Sequence, residues 1–464
     1  MKSSIQQNHL KLPIPGGITV CVPNNLKLMT PYILLEQQDW YEDEIHFIRR
    51  LIEPGTAVID IGANYGVYTL TAAKAVGSYG RVWAFEPTHA TVEYLTESLA
   101  VNGFGQVELI RAALSDHEGE AHLSTSPNAE LNTLNGAPEA EGETVSLTML
   151  DAFIDQFSKH EVTFVKLDAE GEEPNVIAGG ARFFAEQSPL VMFEIKDANS
   201  VNLTLVDIFE NLGYACYRLI PGLNMLVPFD ENEPVDPYQL NLFACKPDRA
   251  RFLAARELLV ETAPDAAPVP DDGLWHQWLS DKTWAADMLP QWECLRPEAW
   301  LRHRDALNQY VQSRNSSLSP AIRMVALKSS FDLLAPFGVE AQNLSHLSSL
   351  AHVAVEFGQR GIAVKALQQI LALLQQGCTF YLNEPFLPPN PYYCSLLSAN
   401  RLGDWILSSV VETLERLCRY SSFFGQEQSR KLLEPLAALG FVGEAAKRRL
   451  GLIRYVSKLS EIQV

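Results

Sequence analysis

Two strongly apolar runs in this 464-residue chain stop at clusters of ionisable residues: VTFV at 162–165 runs into Lys166, Asp168 and Glu170, and LVMF at 190–193 into Glu194 and Lys196. A short apolar run bounded by polar residues reads as a buried strand. Groups just past the carboxyl end of such a strand face the ligand crevice of an open α/β sheet. Carboxylates placed there can take the proton of an attacking hydroxyl, or hold a hard divalent cation that acidifies it. Asp168 and Glu194 are the first candidates for either role. Period-two alternation sends Lys166, Asp168 and Glu170 to one side if the strand continues. Glu170 also reads as a capping acid before Gly171, and Lys196 as a solvated lysine. His46, His89 and His122 are further bases, each with surface histidine as its ordinary reading.

A second constellation lies upstream, in TAVIDIGANYGVY at 56–68. Ala57 to Ile61 form an apolar strand interrupted by Asp60, and the turn from Gly62 to Gly66 leads into a helix near Val67. A dinucleotide site asks for G-x-G-x-x-G so that pyrophosphate meets a helix N-terminus. Here the spacing is G-x-x-x-G, and the preceding acid would repel a pyrophosphate while suiting the ammonium end of S-adenosylmethionine. A nicotinamide oxidoreductase is disfavoured for the same reason. The next strand, RVWAFEP at 81–87, ends in Glu86, where a carboxylate can take both ribose hydroxyls. Such a turn alone is as readily a tight loop. Acid, turn and strand-end Glu in one βαβ unit favour Asp60, Gly62, Ala63, Asn64, Gly66, Glu86 and Pro87 as cofactor residues.

The elements that must position these groups alternate as helix and strand. A helix is expected over 88–102, strands over 107–115 and 121–124, a long polar loop over 126–142 that is either a functional cover or disordered, a strand over 162–167, a helix over 173–186, a strand over 190–195, a helix over 206–212, and a last pair of strands at 214–220 and 241–245. Seven strands of this kind, the last antiparallel, make a Rossmann-like sheet. After Pro247 the chain turns helical, with the Pro- and Asp-rich linker TAPDAAPVPDDG at 262–273. Helices are expected over 275–289, 297–314, 320–334, 345–357, 362–374, 405–420 and 429–459, the last broken near Gly440. Leu347, Leu350, Ala351, Ala354, Ala363, Leu367 and Ile370 follow the spacing of one tetratricopeptide-like hairpin. A solenoid needs about three such units, so an irregular bundle is the expectation.

Composition narrows the function classes. Hydrophobic residues make up 47% and charged residues 20%, enough for two packed cores and too ordered a balance for a disordered chain. Residues 1–247 hold 14 of the 36 basic and 34 of the 56 acidic side chains, so the whole net charge of −20 falls in the half that carries the motifs. That acidity disfavours a nucleic-acid substrate. No run reaches the roughly 18 to 20 apolar residues of a membrane span, and MKSSIQQNHLK lacks a signal-peptide core. Seven cysteines with no CxxC pair fit a reduced, cytoplasmic setting.

The N-terminal half resembles the FkbM-type methyltransferases, which use S-adenosylmethionine and mostly methylate hydroxyl groups. The resemblance rests on Tyr41-Glu42, Pro54-Gly55, Asp60 to Gly66, Ala84 to Pro87, Ala113 to Asp116, Met149 to Asp151, Val165 to Gly171 and Phe193-Glu194, in the family's order from about residue 20 to 247. Met149 and Ala169 depart from the usual Thr and β-branched residue without removing a polar group. The resemblance implies a class I methyltransferase sheet, a methionine site at the Gly62 turn, an adenine border at Ala113, Ser115 and Asp116, and a cofactor-side role for Tyr41 and Glu42.

The resulting division is a lead-in at 1–50, a methyltransferase domain at 51–247, a helix and linker at 248–273 and an α-helical domain at 274–464. O-methylation of a sugar, glycan or secondary metabolite is the expected activity; a degenerate copy that binds a partner through the helical domain is the alternative. A degenerate copy would be expected to lose part of the set Asp60, Gly62, Gly66, Glu86, Asp168 and Glu194. The helical region is expected to serve acceptor recognition, self-association or a protein partner. Its six tryptophans at 275, 278, 284, 292, 300 and 405 read either as core or as surfaces for stacking on sugars.

Overall fold

The computed structural model describes residues 9–124, 126, 142–197, 200–264, 266, 268–295, 300–335, 343–376, 384–396 and 401–462. Most of the expected loop at 126–142 lies outside these residues. Close backbone contacts divide the chain into two units: 1–219, 226–230 and 240–258 in the first, and 220–225, 231–239 and 259–464 in the second.

The first unit opens with a hairpin of β1 (His9–Ile14) and β2 (Ile18–Pro23), followed by α1 (Met29–Gln37) and α2 (Glu44–Leu51). The alternating core follows as β3 (Ala57–Ile61), α3 (Val67–Val76), β4 (Arg81–Phe85), α4 (His89–Asn102) and β5 (Val107–Ile110). β6 (Ala113–Leu114), β7 (Gly119–Ser124) and β8 (Gly142–Thr148) make a separate three-stranded sheet. Then come α5 (Ile154–Phe157), β9 (Val162–Leu167), α6 (Glu173–Ala178), α7 (Ala181–Glu186), β10 (Leu190–Glu194), the short pair β11 (Lys196–Asp197) and β12 (Ser200–Val201), α8 (Thr204–Asn211), β13 (Ala215–Ile220), β14 (Met225–Pro228), β15 (Asn241–Cys245) and α9 (Pro247–Ala255).

Among the described residues the main sheet has eight strands, in the order β14-β13-β15-β10-β9-β3-β4-β5. From β10 to β5 the pairs are parallel, and β15 lies antiparallel between β10 and β13. Every residue of β3 and β15 is buried, as near-continuous apolar strands require when both faces are covered. The order reverses between β3 and β9, so their carboxyl ends open a crevice at that point.

Several elements differ from the sequence reading. The expected helix over 173–186 is two, because Gly179 and Gly180 are pressed on by neighbours: a Cβ on Gly179 would lie 2.1 Å from Ser115 O, and one on Gly180 2.8 Å from Leu150 Cδ2. The expected strand over 107–115 divides at Arg111 and Ala112 into β5 and β6. The β1–β2 hairpin and β14, which adds an eighth strand, went unread.

The second unit is helical: α10 (Leu274–Ser280), α11 (Leu289–Glu293), α12 (Leu301–Ser313), α13 (Pro320–Leu334), α14 (Leu344–Phe357), α15 (Arg360–Gln375), α16 (Leu402–Cys418), α17 (Gln426–Ala437) and α18 (Glu444–Ile462). The expected helix over 275–289 is thus α10 and α11 with turns between them. α14 and α15 form the hairpin its spacing indicated, with Gly358 at φ 81° between them. Trp275, Trp284, Trp292, Trp300 and Trp405 are buried, with Trp284 stacked on Trp405 at 5.2 Å. The sugar-stacking reading fails for these five, because their faces are spent on the core. No helix among the described residues is long and apolar enough to cross a membrane.

Candidate functional site

The turn after β3 is shaped by backbone sign and by crowding. Gly62, Asn64 and Gly66 have φ of 76°, 50° and 86°. A Cβ on Gly62 would fall 1.8 Å from the backbone O of Asp168, so a side chain is excluded there, while one on Gly66 would fall 2.3 Å from Leu95 Cδ1 and displace that side chain. Gly62 N and Ala63 N each donate to Phe85 O at 3.0 Å, which ties the turn to the end of β4. Glu86, the next residue, is buried; its Oε2 accepts from Asn64 N at 2.8 Å and its Oε1 from Thr88 N at 2.9 Å. Burial pushes its carboxyl above the ordinary range, and these N–H bonds pull against that shift.

A cleft of about 980 Å³, including space open to solvent, lies over this turn. It is lined by residues 61–68, 85–88, 112–114, 123, 166, 168–170 and 172, and by Thr30, Trp40 and Glu42 from the segment before the sheet. Of the sequence candidates, Gly62, Ala63, Asn64, Gly66, Glu86, Pro87, Ala113, Glu42, Lys166, Asp168 and Glu170 line it.

Five candidates do not. Asp60, expected to meet a ligand ammonium directly, lies beneath the turn at 1% exposure; its Oδ2 accepts from Thr69 Oγ1 at 2.5 Å and its Oδ1 has no hydrogen-bond partner. Tyr41 packs its ring 4.8 Å from Trp40. Ser115 is buried with its N donating to Thr148 O, and Asp116 is turned outward to bond His117 Nδ1 at 2.6 Å. Glu194 sits at the end of β10, beside the cleft. His46, His89 and His122 are also absent from the lining.

At the end of β9, Lys166 Nζ donates to Asp168 Oδ2 at 2.8 Å and to Gly62 O at 3.3 Å, and stands 4.0 Å from Asp60 Oδ1. Burial by itself would lower the lysine, but the carboxylates of Asp168 and Asp60 outweigh it and hold the ammonium above its ordinary range. Its charge lies 5.4 Å from the centre of the Tyr68 ring, and Tyr68 OH donates to Glu42 Oε2 at 2.5 Å. Burial raises Glu42, partly offset by the Tyr68 bond and the Lys166 charge. Burial, joined by the charges of Asp168, Glu170 and Glu42, pushes Glu194 up to about 9. Glu173 closes the loop below, accepting from Ala169 N at 2.8 Å and Gly171 N at 3.1 Å. It supplies the capping that Glu170 was read to supply, while Glu170 lines the cleft at φ 50°.

Tyr68 and Trp40 were not read as site residues. Tyr68 follows the glycine turn by two positions and Trp40 precedes the Tyr41-Glu42 motif, which are the only sequence signals they carry. Among the described residues no group of three or more His, Cys, Asp or Glu could hold a metal ion. Asp168 directs Oδ2 to an ammonium instead, so the donor set does not fit the divalent-cation alternative. A cationic organic ligand fits better: five carboxylates, from Glu42, Glu86, Asp168, Glu170 and Glu172, line the cleft against the single ammonium of Lys166. S-adenosylmethionine, with a sulfonium and an ammonium, has that charge. Its ribose would meet Glu86 and its methionine part the Gly62 turn.

The strand order β5-β4-β3-β9-β10-β15-β13, with β15 antiparallel and the crevice over β3, is that of a class I methyltransferase sheet. Residues 60–216 match the model of the methyltransferase FkbM domain. Solved structures similar to the chain include a SAM-dependent methyltransferase from Aquifex aeolicus (15% identity, 46% of this chain and 93% of that one, TM-score 0.25). A SAM-dependent O-methyltransferase from Thermotoga maritima is 16% identical over 49% of this chain and 73% of that one, with a TM-score of 0.26. Fibrillarin from Aeropyrum pernix, solved with S-adenosyl-L-methionine, is 13% identical over 51% and 87%, with a TM-score of 0.25. No curated protein matches the sequence.

Proposed function

We propose that the chain transfers the methyl group of S-adenosylmethionine to a hydroxyl of a small molecule or glycan, with Asp168 as the base. The observation that carries this reading is the Asp168 carboxylate, with its side chain 36% exposed, on the cleft wall directly beside the glycine turn. When bound, the cofactor supplies an electrophilic methyl on a sulfonium. The acceptor O–H bond breaks as its proton passes to Asp168; an O–CH₃ bond forms, the S–CH₃ bond breaks, and its electron pair stays on sulfur. Glu42, Glu86 and Glu170 favour the cationic cofactor, and Tyr68 and Trp40 give the cleft apolar walls that limit water.

The helical unit is assigned to acceptor recognition or assembly, since the chemistry-bearing motifs all fall before residue 247. Incubating the full chain with methyl-labelled S-adenosylmethionine and pooled glycans, lipids and small alcohols tests the reaction class. Label in an ether product supports it, and label only in amines or thiols contradicts it. Asp168→Asn should then lower transfer about 10²-fold or more, the scale of lost general-base catalysis.

A further inference from the structure

We infer that Lys166 is a positioning residue for this reaction: it acts through Asp168, tying the base to the cofactor turn so that the two are held as one unit. The inference rests on the reading of Asp168 as the base. Lys166 is the penultimate residue of β9, paired with Asp60 of β3 and Met192 of β10, and is 7% exposed. Its ammonium reaches three elements: the Asp168 Oδ2 at 2.8 Å, the Gly62 carbonyl at 3.3 Å and the Asp60 Oδ1 at 4.0 Å. A protonated lysine has three donors and no acceptor, so in this state it holds its neighbours and cannot receive the acceptor's proton. The bond to Oδ2 leaves Asp168 Oδ1 as the atom that takes it.

The same seam is closed from the backbone. Asp168 N donates to Ile61 O at 3.2 Å, and Gly62 packs so tightly on Asp168 O that no Cβ fits. Backbone contact brings the turn and the loop together; the ammonium then fixes where the carboxylate points. Asp60 Oδ1 has no hydrogen-bond partner of its own, so the lysine charge 4.0 Å away also offsets a buried carboxylate. Removing that charge frees Asp168 to rotate and loosens the Gly62 carbonyl.

The test uses the full chain with two readouts: calorimetry with S-adenosylhomocysteine, and labelled-methyl transfer to the pooled glycans and alcohols. Lys166→Gln should lower transfer about tenfold or more and weaken S-adenosylhomocysteine, the scale of a lost charge-assisted bond. Lys166→Arg, which keeps the charge, should restore part of both. At saturating S-adenosylmethionine, the Lys166→Gln/Asp168→Asn double variant should be no slower than Asp168→Asn alone, because the lysine acts on transfer through the aspartate. Unchanged transfer in Lys166→Gln, or defects that multiply in the double variant, would overturn the positioning role. Full transfer in Asp168→Asn alone would instead sink the base assignment, and that outcome is independent of Lys166.

Discussion

Gly62 and Asp168 are in contact so close that a Cβ on the glycine would sit 1.8 Å from the aspartate's carbonyl oxygen. The glycine turn and the strand end bearing Asp168 are therefore packed as one surface. Gly62→Ala should destabilise the first unit by more than the about 1–2 kcal/mol that a left-handed backbone alone costs a side chain. Gly103 is a control, because it also has positive φ, 69°, with nothing within 4 Å of its Cβ position. Urea unfolding should place Gly62→Ala well below Gly103→Ala; equal midpoints would mean that the contact is not there.

Asp151, part of the family motif at 149–151, acts structurally. Its Oδ2 accepts from Arg182 N at 2.9 Å and its Oδ1 from Phe183 N at 2.8 Å, so one carboxylate satisfies two donors at the start of α7. Asp151→Ala should cost about 1–2 kcal/mol in thermal or urea unfolding, the range for a lost helix cap, while leaving S-adenosylhomocysteine affinity nearly unchanged.

Glu194 gives the protein a pH signature. Its carboxyl is raised from an ordinary 4.5 to about 9, by burial first and then by the surrounding acids. Between these values the folded protein keeps a proton that the unfolded chain has released, so stability should fall as pH rises through that window. Below it there is no loss, and above about 9 the loss is complete. Glu194→Gln, neutral throughout, should unfold with a flatter pH dependence and keep most of its transfer activity. A steep loss of activity in this variant at neutral pH would instead make the ionised carboxylate essential.

Much of the sheet was legible because its strands are apolar runs that end at polar residues, as AVIDI and RVWAF do before Gly62 and Glu86. β14, with the sequence MLVP, is too short to separate from a loop by pattern, and the β1–β2 hairpin turns at Thr-free Pro15-Gly16-Gly17 inside a segment that carries no motif. The glycine turn, Glu86 and Asp168 stand out in the sequence because each sits next to a strand end. Sequence does not say on which side of the turn the buried Asp60 carboxylate lies. The long stem of Lys166 carries its charge back to the Gly62 carbonyl, a reach that strand periodicity does not express. The tryptophans show the limit in the other direction, since a ring that could stack on a sugar and one that fills a bundle have the same letter.

In the proposed reading, the cleft over Gly62 to Gly66 holds S-adenosylmethionine with Glu86 at its ribose. Calorimetry of the full chain with S-adenosylhomocysteine, beside the Glu86→Ala variant, tests it most directly. One saturable site, weakened by about 1–3 kcal/mol in Glu86→Ala, is the predicted result, the scale for leaving a charged hydrogen-bonding position empty. No saturable binding, or equal affinity in both proteins, would contradict the account.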